Sequence, residues 1–168
     1  NYVSKLTLTG KELRRLVRIT HAGARGFFST SGLRVRAVRR EDEPRSNDLD
    51  GNGKIEPWEL DRLIEVTLAN GEPIGEGRMY TVATLDFLVS GGDSLGWFMN
   101  GIPKERIVAM AGPVLREAVV DYVRKQSALS PDGLHSEDRP LVRPDAPRLV
   151  LEKRAVKSTE SRSRKKRR

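Results

Sequence analysis

The sequence contains no cysteine, which excludes disulfides and thiolate metal sites and leaves the cellular compartment open. It has two histidines, His21 and His135, far apart in the chain. That scarcity excludes a His-rich dinuclear metal centre built from this chain alone. No apolar run approaches the roughly 18 residues of a membrane-spanning helix, and residues 1–20 lack a signal-peptide pattern. The chain opens on Asn1 rather than methionine and is expected to be a piece of a longer protein. Aromatics are sparse at 5%, yet Phe27 and Phe28 sit side by side in one small-residue loop.

What is present is ordinary globular material: 168 residues, 37% apolar and 32% charged, enough for one domain with a short appendage. The net charge of +8 invites a nucleic-acid reading, but its distribution argues otherwise. Nine of the 31 basic residues and one of the 23 acids, Glu160, lie in residues 153–168, so residues 1–152 are neutral. The tail has no apolar face beyond Val156 and is expected to be disordered. A solvated end is the first reading of it. Salt-sensitive, unspecific contact with an anionic surface is the second. Nucleic acid is not an expected partner of the domain.

Along the chain, residues 2–8 lean towards a strand, with Val3 and Leu6 or Leu8 available for a core. Thr9-Gly-Lys-Glu12 is a capping box, and Leu13, Leu16, Val17 and Ile19 form the stripe of the helix it opens. Gly23 is expected to stop that helix, placing His21 at its negative end, where an imidazolium would be mildly favoured. Neither histidine is read as a metal ligand. Strands are expected over 33–40, 62–69, 79–89 and 148–153. Asn70-Gly71 is a strong hairpin signal. Pro113 fits the first turn of a second helix, with a stripe of Leu115, Ala118, Val119, Tyr122 and Val123. The fold class is α+β, with mainly antiparallel strands and two main helices.

The most specific local motif is DLDGNGKIEPWE, residues 48–59. A calcium ion wants six to eight hard oxygens around a tight turn. Asp48, Asp50 and Asn52 supply them at loop positions 1, 3 and 5, and Gly53 takes the sharp turn at position 6. Lys54 would give its carbonyl, Glu56 would act through water, and Glu59 would bind with both oxygens. Ile55 can pack the loop onto a neighbour. The residues before Asp48 are charged and include Pro44, so they cannot form an amphipathic entering helix; Pro57 starts at most a turn of helix. The expectation is a structural Ca²⁺ clip in an insertion at about 41–61, rather than a sensor. A solvated acidic turn is the bland alternative.

Three stretches in order resemble the C-terminal domain of the 5'-nucleotidase family, which includes UDP-sugar hydrolases and 2',3'-cyclic phosphodiesterases. They are LTLTGKELRRLV (6–17), GFFSTSGLRV (26–35) and YTVATLDFLVSGGDSLGWF (80–98). The last is similar to the family's Y-x-V-A-T-N-D-F-L-A-S-G-G-D-G. REAVVDYVRK (116–125) fits the closing helix, so the resemblance covers residues 1–152 around the calcium insertion.

The resemblance implies a substrate-binding domain that works with a metallophosphatase domain of the same parent protein, which holds two divalent transition metals. By position it implies that Phe27 and Phe87 sandwich the base and that Asp93 holds the ribose hydroxyls. Gly91 and Gly92 would let backbone approach the ligand. The chemistry is consistent: an aromatic face stacks on any base, and a carboxylate accepts from vicinal hydroxyls.

Leu85 stands where the family commonly has asparagine and Ser29 where glutamine is frequent, which leaves base preference open. The family's Asn-x-Gly-Gly-Ile-Arg stretch would precede Asn1, and no catalytic residue is expected in this chain. A periplasmic, cell-surface or secreted setting follows from the resemblance, and millimolar Ca²⁺ suits it. The rival class is a calcium-stabilised, non-enzymatic binding or adhesion module.

Overall fold

In the computed structural model, the described residues are 1–22, 28–39, 42, 45–56, 59–125 and 147–153. Phe27, Gly23, Pro57, Trp58, His135 and the basic tail from 154 onwards lie outside them.

The first strand, β1 (Val3–Thr9), buries Ser4, Leu6 and Leu8, so the period-2 alternation sets which face meets the core. At Thr9 the chain turns directly into α1 (Gly10–Thr20). Both halves of the capping box form: Glu12 N–H donates to Thr9 Oγ1 at 3.3 Å, and Thr9 N–H donates to Glu12 Oε2 at 2.7 Å. The helix lays Leu13, Val17 and Ile19 into the core. Arg106 grips both oxygens of Glu12 at 2.9 Å, a contact across 94 residues of sequence. That fork holds the Glu12 carboxyl down at about 2.

The remaining strands are β2 (Leu33–Val38), β3 (Arg45–Ser46), β4 (Leu60–Asp61), β5 (Leu63–Leu68), β6 (Met79–Leu85), β7 (Ile107–Val108) and β8 (Leu149–Glu152). Two three-stranded sheets result, ordered β6-β1-β7 and β5-β2-β8, with β3-β4 as a separate ribbon. Among the described residues all strand pairings are antiparallel except β2 with β8. Helix α1 packs against β1, β5 and β6, so it stands between the sheets. The further helices among the described residues are α2 (Asp86–Val89), α3 (Gly96–Asn100) and α4 (Leu115–Arg124), with a 3₁₀ turn at Lys104–Arg106.

Several expectations need correction. The strand expected over 79–89 ends at Leu85, and DFLV forms α2 instead. The cause is Asp86, whose Oδ1 accepts from Phe87 N–H at 2.9 Å and from Tyr2 N–H at 3.0 Å, folding the backbone at the strand's end. Asn70-Gly71 does turn the chain, with Gly71 at φ +90°, but it does not join two long strands. Only a Thr67–Pro73 bridge follows, and β5 and β6 go to different sheets. Pro113 precedes α4 rather than lying in its first turn; its carbonyl accepts from Val3 N–H at 3.0 Å.

His21 caps α1 but is 1% exposed, with Nδ1 on the Val17 carbonyl at 2.8 Å. Burial pushes its pKa down, so the helix end does not favour the imidazolium there.

Candidate functional site

Two segments carry the candidate site residues that the structure describes. The first is residues 48–59, held at the mouth of the β3-β4 ribbon, where Arg45 pairs with Asp61 and Ser46 with Leu60. A ribbon, rather than an incoming helix, therefore leads into the loop, as the charged, proline-bearing flank requires. Asp48 accepts from the N–H groups of Gly51, Asn52 and Gly53 at 2.7, 3.1 and 2.8 Å. Asp50 accepts from Asn52 N–H at 3.0 Å, and Asn52 Oδ1 accepts from Lys54 N–H at 2.8 Å. Gly53 sits at φ +82°, the sharp turn that position requires.

Glu59 is fully buried and closes the loop. Its Oε1 accepts from Leu49 N–H at 2.6 Å and Asp50 N–H at 3.2 Å, and its Oε2 from Glu56 N–H at 2.8 Å. Carboxylate oxygens of Asp48, Asp50 and Glu59 lie within 4.8 Å of one another, a spacing one hard cation can bridge.

The electrostatics of the loop are those of crowded acids. The Gly53 N–H, helped by those of Gly51 and Asn52, holds Asp48 below the ordinary carboxylate range. Burial opposes the charge of Glu59, but its hydrogen bonds, foremost from Glu56, outweigh burial and lower its pKa. The adjacent Glu59 carboxyl raises Glu56 in turn. Glu56 Oε2 is sealed from solvent without a hydrogen-bond partner. A divalent cation would relieve both features, so the donor set fits calcium. Lys54 is exposed. Ile55, expected to pack onto a neighbour, is instead 57% exposed. The loop has no partner loop to dock on among the described residues.

The second loop runs from Asp86 to Leu95. Phe87 stands on α2 with 48% of its surface exposed, unusual for a phenylalanine. Its ring lies against Gly92: a methyl built there would come within 2.7 Å of Phe87 Cδ1. Gly91 at φ +98° and Gly92 carry the backbone round, with Gly92 N–H donating to Phe87 O at 2.9 Å. Asp93 and Ser94 then follow at φ +53° and +61°, consecutive left-handed residues that are not glycine. Such conformations cost of order 1–3 kcal/mol each and cluster at ligand sites. Leu95, 2% exposed, anchors the end of the turn.

The structure thus gathers Phe87, Gly91, Gly92 and Asp93 into one turn. Phe27 lies outside the described residues.

A cavity of about 480 Å³ runs between α1, residues 28–33 and β6, lined by Leu16, Val17, Phe28, Leu68, Val82 and Leu88 among others. It touches neither Phe87 nor Asp93. Its walls are mostly aliphatic, and it lies beneath the turn rather than at the exposed Phe87 face. A smaller hollow of about 290 Å³ borders Gly91 from the side of Lys104 and Ile107.

One side chain carried no sequence signal. Arg15, on the exposed face of α1, donates to the Leu49 carbonyl at 3.1 Å and stacks on Trp97, its guanidinium carbon 4.8 Å from the ring centroid. Nothing in its own neighbourhood along the chain marks it out.

These features define a small α+β ligand-binding domain with one oxygen-rich loop and one glycine-rich aromatic turn. Residues 1–100 match the family described as 5'-nucleotidase, C-terminal domain, and the chain belongs to that family. The match spans β1, α1 and the whole 86–95 turn, and the 48–59 loop falls inside it. No curated protein matches the chain. No helix among the described residues is long and apolar enough to cross a membrane.

Proposed function

We propose that this chain is the nucleoside-binding domain of a 5'-nucleotidase-type phosphohydrolase. The observation that carries the reading is the 86–95 turn: a half-exposed Phe87 propped on Gly92, beside Asp93 in a strained backbone conformation, inside the matched region. Phe87 supplies one stacking face for a base, and Phe27 the opposite one. Stacking of this kind contributes about 1–3 kcal/mol per base and is tolerant of base identity. Asp93 accepts hydrogen bonds from the ribose hydroxyls.

In this reading the hydrolytic metals belong to the metallophosphatase domain of the same parent protein. This chain's residues do not fit a dinuclear centre, since His21 is buried on a helix carbonyl and His135 is far from it in sequence. The contribution of this chain is orientation: it fixes the base and sugar so that the phosphate projects outwards towards the metals. Alone it is inactive. The acidic loop binds one Ca²⁺ as a structural clip, with Asp48, Asp50, Asn52, the Lys54 carbonyl, Glu56 and Glu59 as its ligands. The parent protein works in an exported setting where millimolar calcium fills the site.

Calorimetric titration of the chain with adenosine tests the nucleoside reading. Saturable binding that Phe87→Ala weakens is the expected result. Absence of heat, with parent and variant alike, would favour a calcium-stabilised module of another kind.

A further inference from the structure

The two proposed sites are distant in sequence, yet one side chain touches the framework of both. Arg15 Nη2 donates to the carbonyl of Leu49, the second residue of the calcium loop. Leu49 is itself fixed by its N–H to Glu59 Oε1 at 2.6 Å. The same guanidinium lies 4.8 Å from the centroid of Trp97. Trp97 is the second residue of α3, which begins directly after the Asp93-Ser94-Leu95 end of the aromatic turn. Its ring meets Phe98 edge-on, with centroids 6.3 Å apart, and Phe98 is 4% exposed in the core. The path from Glu59 to the turn is therefore contiguous, through one hydrogen bond to Leu49, one to Arg15, one stacked ring and one short helix.

We propose that Arg15 is a positioning residue that couples the calcium loop to the nucleoside-binding turn, so that calcium in the first tightens nucleoside binding in the second. This rests on both assignments made above. The physical basis is the geometry of guanidinium. A planar fork donates in its plane while its face stacks on indole, which an ammonium cannot do in one position. Carboxylates brought onto an ion hold Leu49 still, and a fixed Leu49 carbonyl holds the guanidinium over Trp97. Trp97 then limits the freedom of α3 and of the turn that feeds it. Coupling of this kind is reciprocal, so nucleoside tightens calcium by the same factor. Arg15 is not the only tie between loop and helix. Arg18 Nε lies 3.4 Å from Asp61 Oδ2 at the loop's base, so removing Arg15 cuts the link to Trp97 without freeing the loop.

The experiment uses the full chain with Trp58→Phe, which leaves Trp97 as the single indole. Adenosine affinity is measured with calcium chloride and with chelator, and calcium binding is followed separately by melting temperature. In the parent, calcium should tighten adenosine about two- to fivefold, the size of an exposed cation–π contact. In Arg15→Gln that factor should fall to one while calcium still raises the melting temperature. Arg15→Lys should not restore it. Without adenosine, calcium should shift Trp97 emission in the parent and leave it unchanged in Arg15→Gln.

An equal calcium effect on adenosine in parent and Arg15→Gln would overturn the coupling and leave both site assignments standing. A parent that binds no adenosine would sink the nucleoside reading and the coupling with it. The emission shift then shows whether Arg15 still links the loop to Trp97. A melting temperature indifferent to calcium would sink the calcium reading, and again the coupling.

Discussion

The 48–59 loop and the 86–95 turn both carry acidic side chains, but they are built on different scales. In the loop the polar groups that orient Asp48, Asp50 and Glu59 are backbone N–H groups of residues 49–56 and the Asn52 side-chain amide. The loop closes on itself, and a two-rung ribbon holds its ends, with Arg15 and Arg18 of α1 as ties from outside. The turn cannot close on itself. Phe87 gains its pose from Gly92, but α2 is fixed by Tyr2 N–H on Asp86, and the turn ends on Leu95 in the common core. The ring proposed to oppose Phe87, that of Phe27, belongs to a segment far earlier in the sequence. A ligand in the loop should therefore mainly change stability, and a ligand at the turn should report on the fold.

The largest effect expected is at Glu59. Calcium at about a hundred times its dissociation constant should stabilise the domain by about 2.7 kcal/mol. For a chain of this size that is roughly 5–10 °C in melting temperature. Glu59→Gln should abolish the rise and also lower the calcium-free melting temperature. Three N–H donors then lose a charged acceptor, and a buried unsatisfied group costs about 1–3 kcal/mol. Scanning calorimetry with and without chelator measures both. A rise that survives Glu59→Gln would mean that the ion sits elsewhere.

Next in size are the residues of the turn proposed to face the nucleoside. Phe87→Ala should weaken adenosine by about 1–3 kcal/mol, five- to over a hundredfold. Because half of the ring is exposed, the melting temperature should move little. Asp93→Asn isolates the charge, since asparagine tolerates the same left-handed backbone. It should weaken adenosine more than 2',3'-dideoxyadenosine. Equal losses for both ligands would remove Asp93 from the sugar contact.

The contrast of scale also explains what could be read from sequence. The tight turn of the 48–59 loop, with Gly53 at φ +82° and Asp48 on the N–H groups that follow it, was legible residue by residue, because its geometry is set within one short window. So was the capping box of α1, whose partners Thr9 and Glu12 are three residues apart. The positions of Phe87, Gly91, Gly92 and Asp93 came through family resemblance, and no spacing rule would have gathered them. Arg15 on Trp97 and Arg106 on Glu12 were invisible, since each pairing is made by the tertiary fold. The extension of β6 into 86–89 failed for a local reason: apolar DFLV suits either state, and the Asp86 carboxylate decides for the turn.

Glu12 joins the two scales, and acid separates them. Its folded pKa of about 2 lies below the ordinary 4.5, mainly because of the Arg106 fork. A depressed carboxyl stabilises the fold above its unfolded pKa and loses that contribution as pH falls from about 4.5 towards 2. The pair is partly solvated, so the loss should be about 1–2 kcal/mol after screening. Melting temperature against pH should show a descending limb in that window. Glu12→Gln should flatten it, and Arg106→Gln should reduce it while leaving the local cap in place. A limb unchanged in Arg106→Gln would mean that the cap alone depresses Glu12.

The smallest effect should come from the helix whose pattern was clear and whose burial was not. α1 and α4 are of similar length, 11 and 10 residues, and each has an apolar stripe. α1 buries its stripe between two sheets. In α4, Leu115, Val119 and Tyr122 are 40%, 53% and 62% exposed, and no residue of the helix is buried. Periodicity reports that a face is apolar; only the elements opposite determine whether it is covered. Val119→Ser should therefore shift stability by no more than about 0.5 kcal/mol, as at other open surface positions. Val17→Ala in α1, 3% exposed, should cost several times as much through the lost contacts and residual cavity. Urea denaturation of the two variants side by side gives both numbers. A Val119→Ser loss as large as that of Val17→Ala would show that α4 is covered in solution, and the contrast between the helices would then be one of partner rather than of pattern.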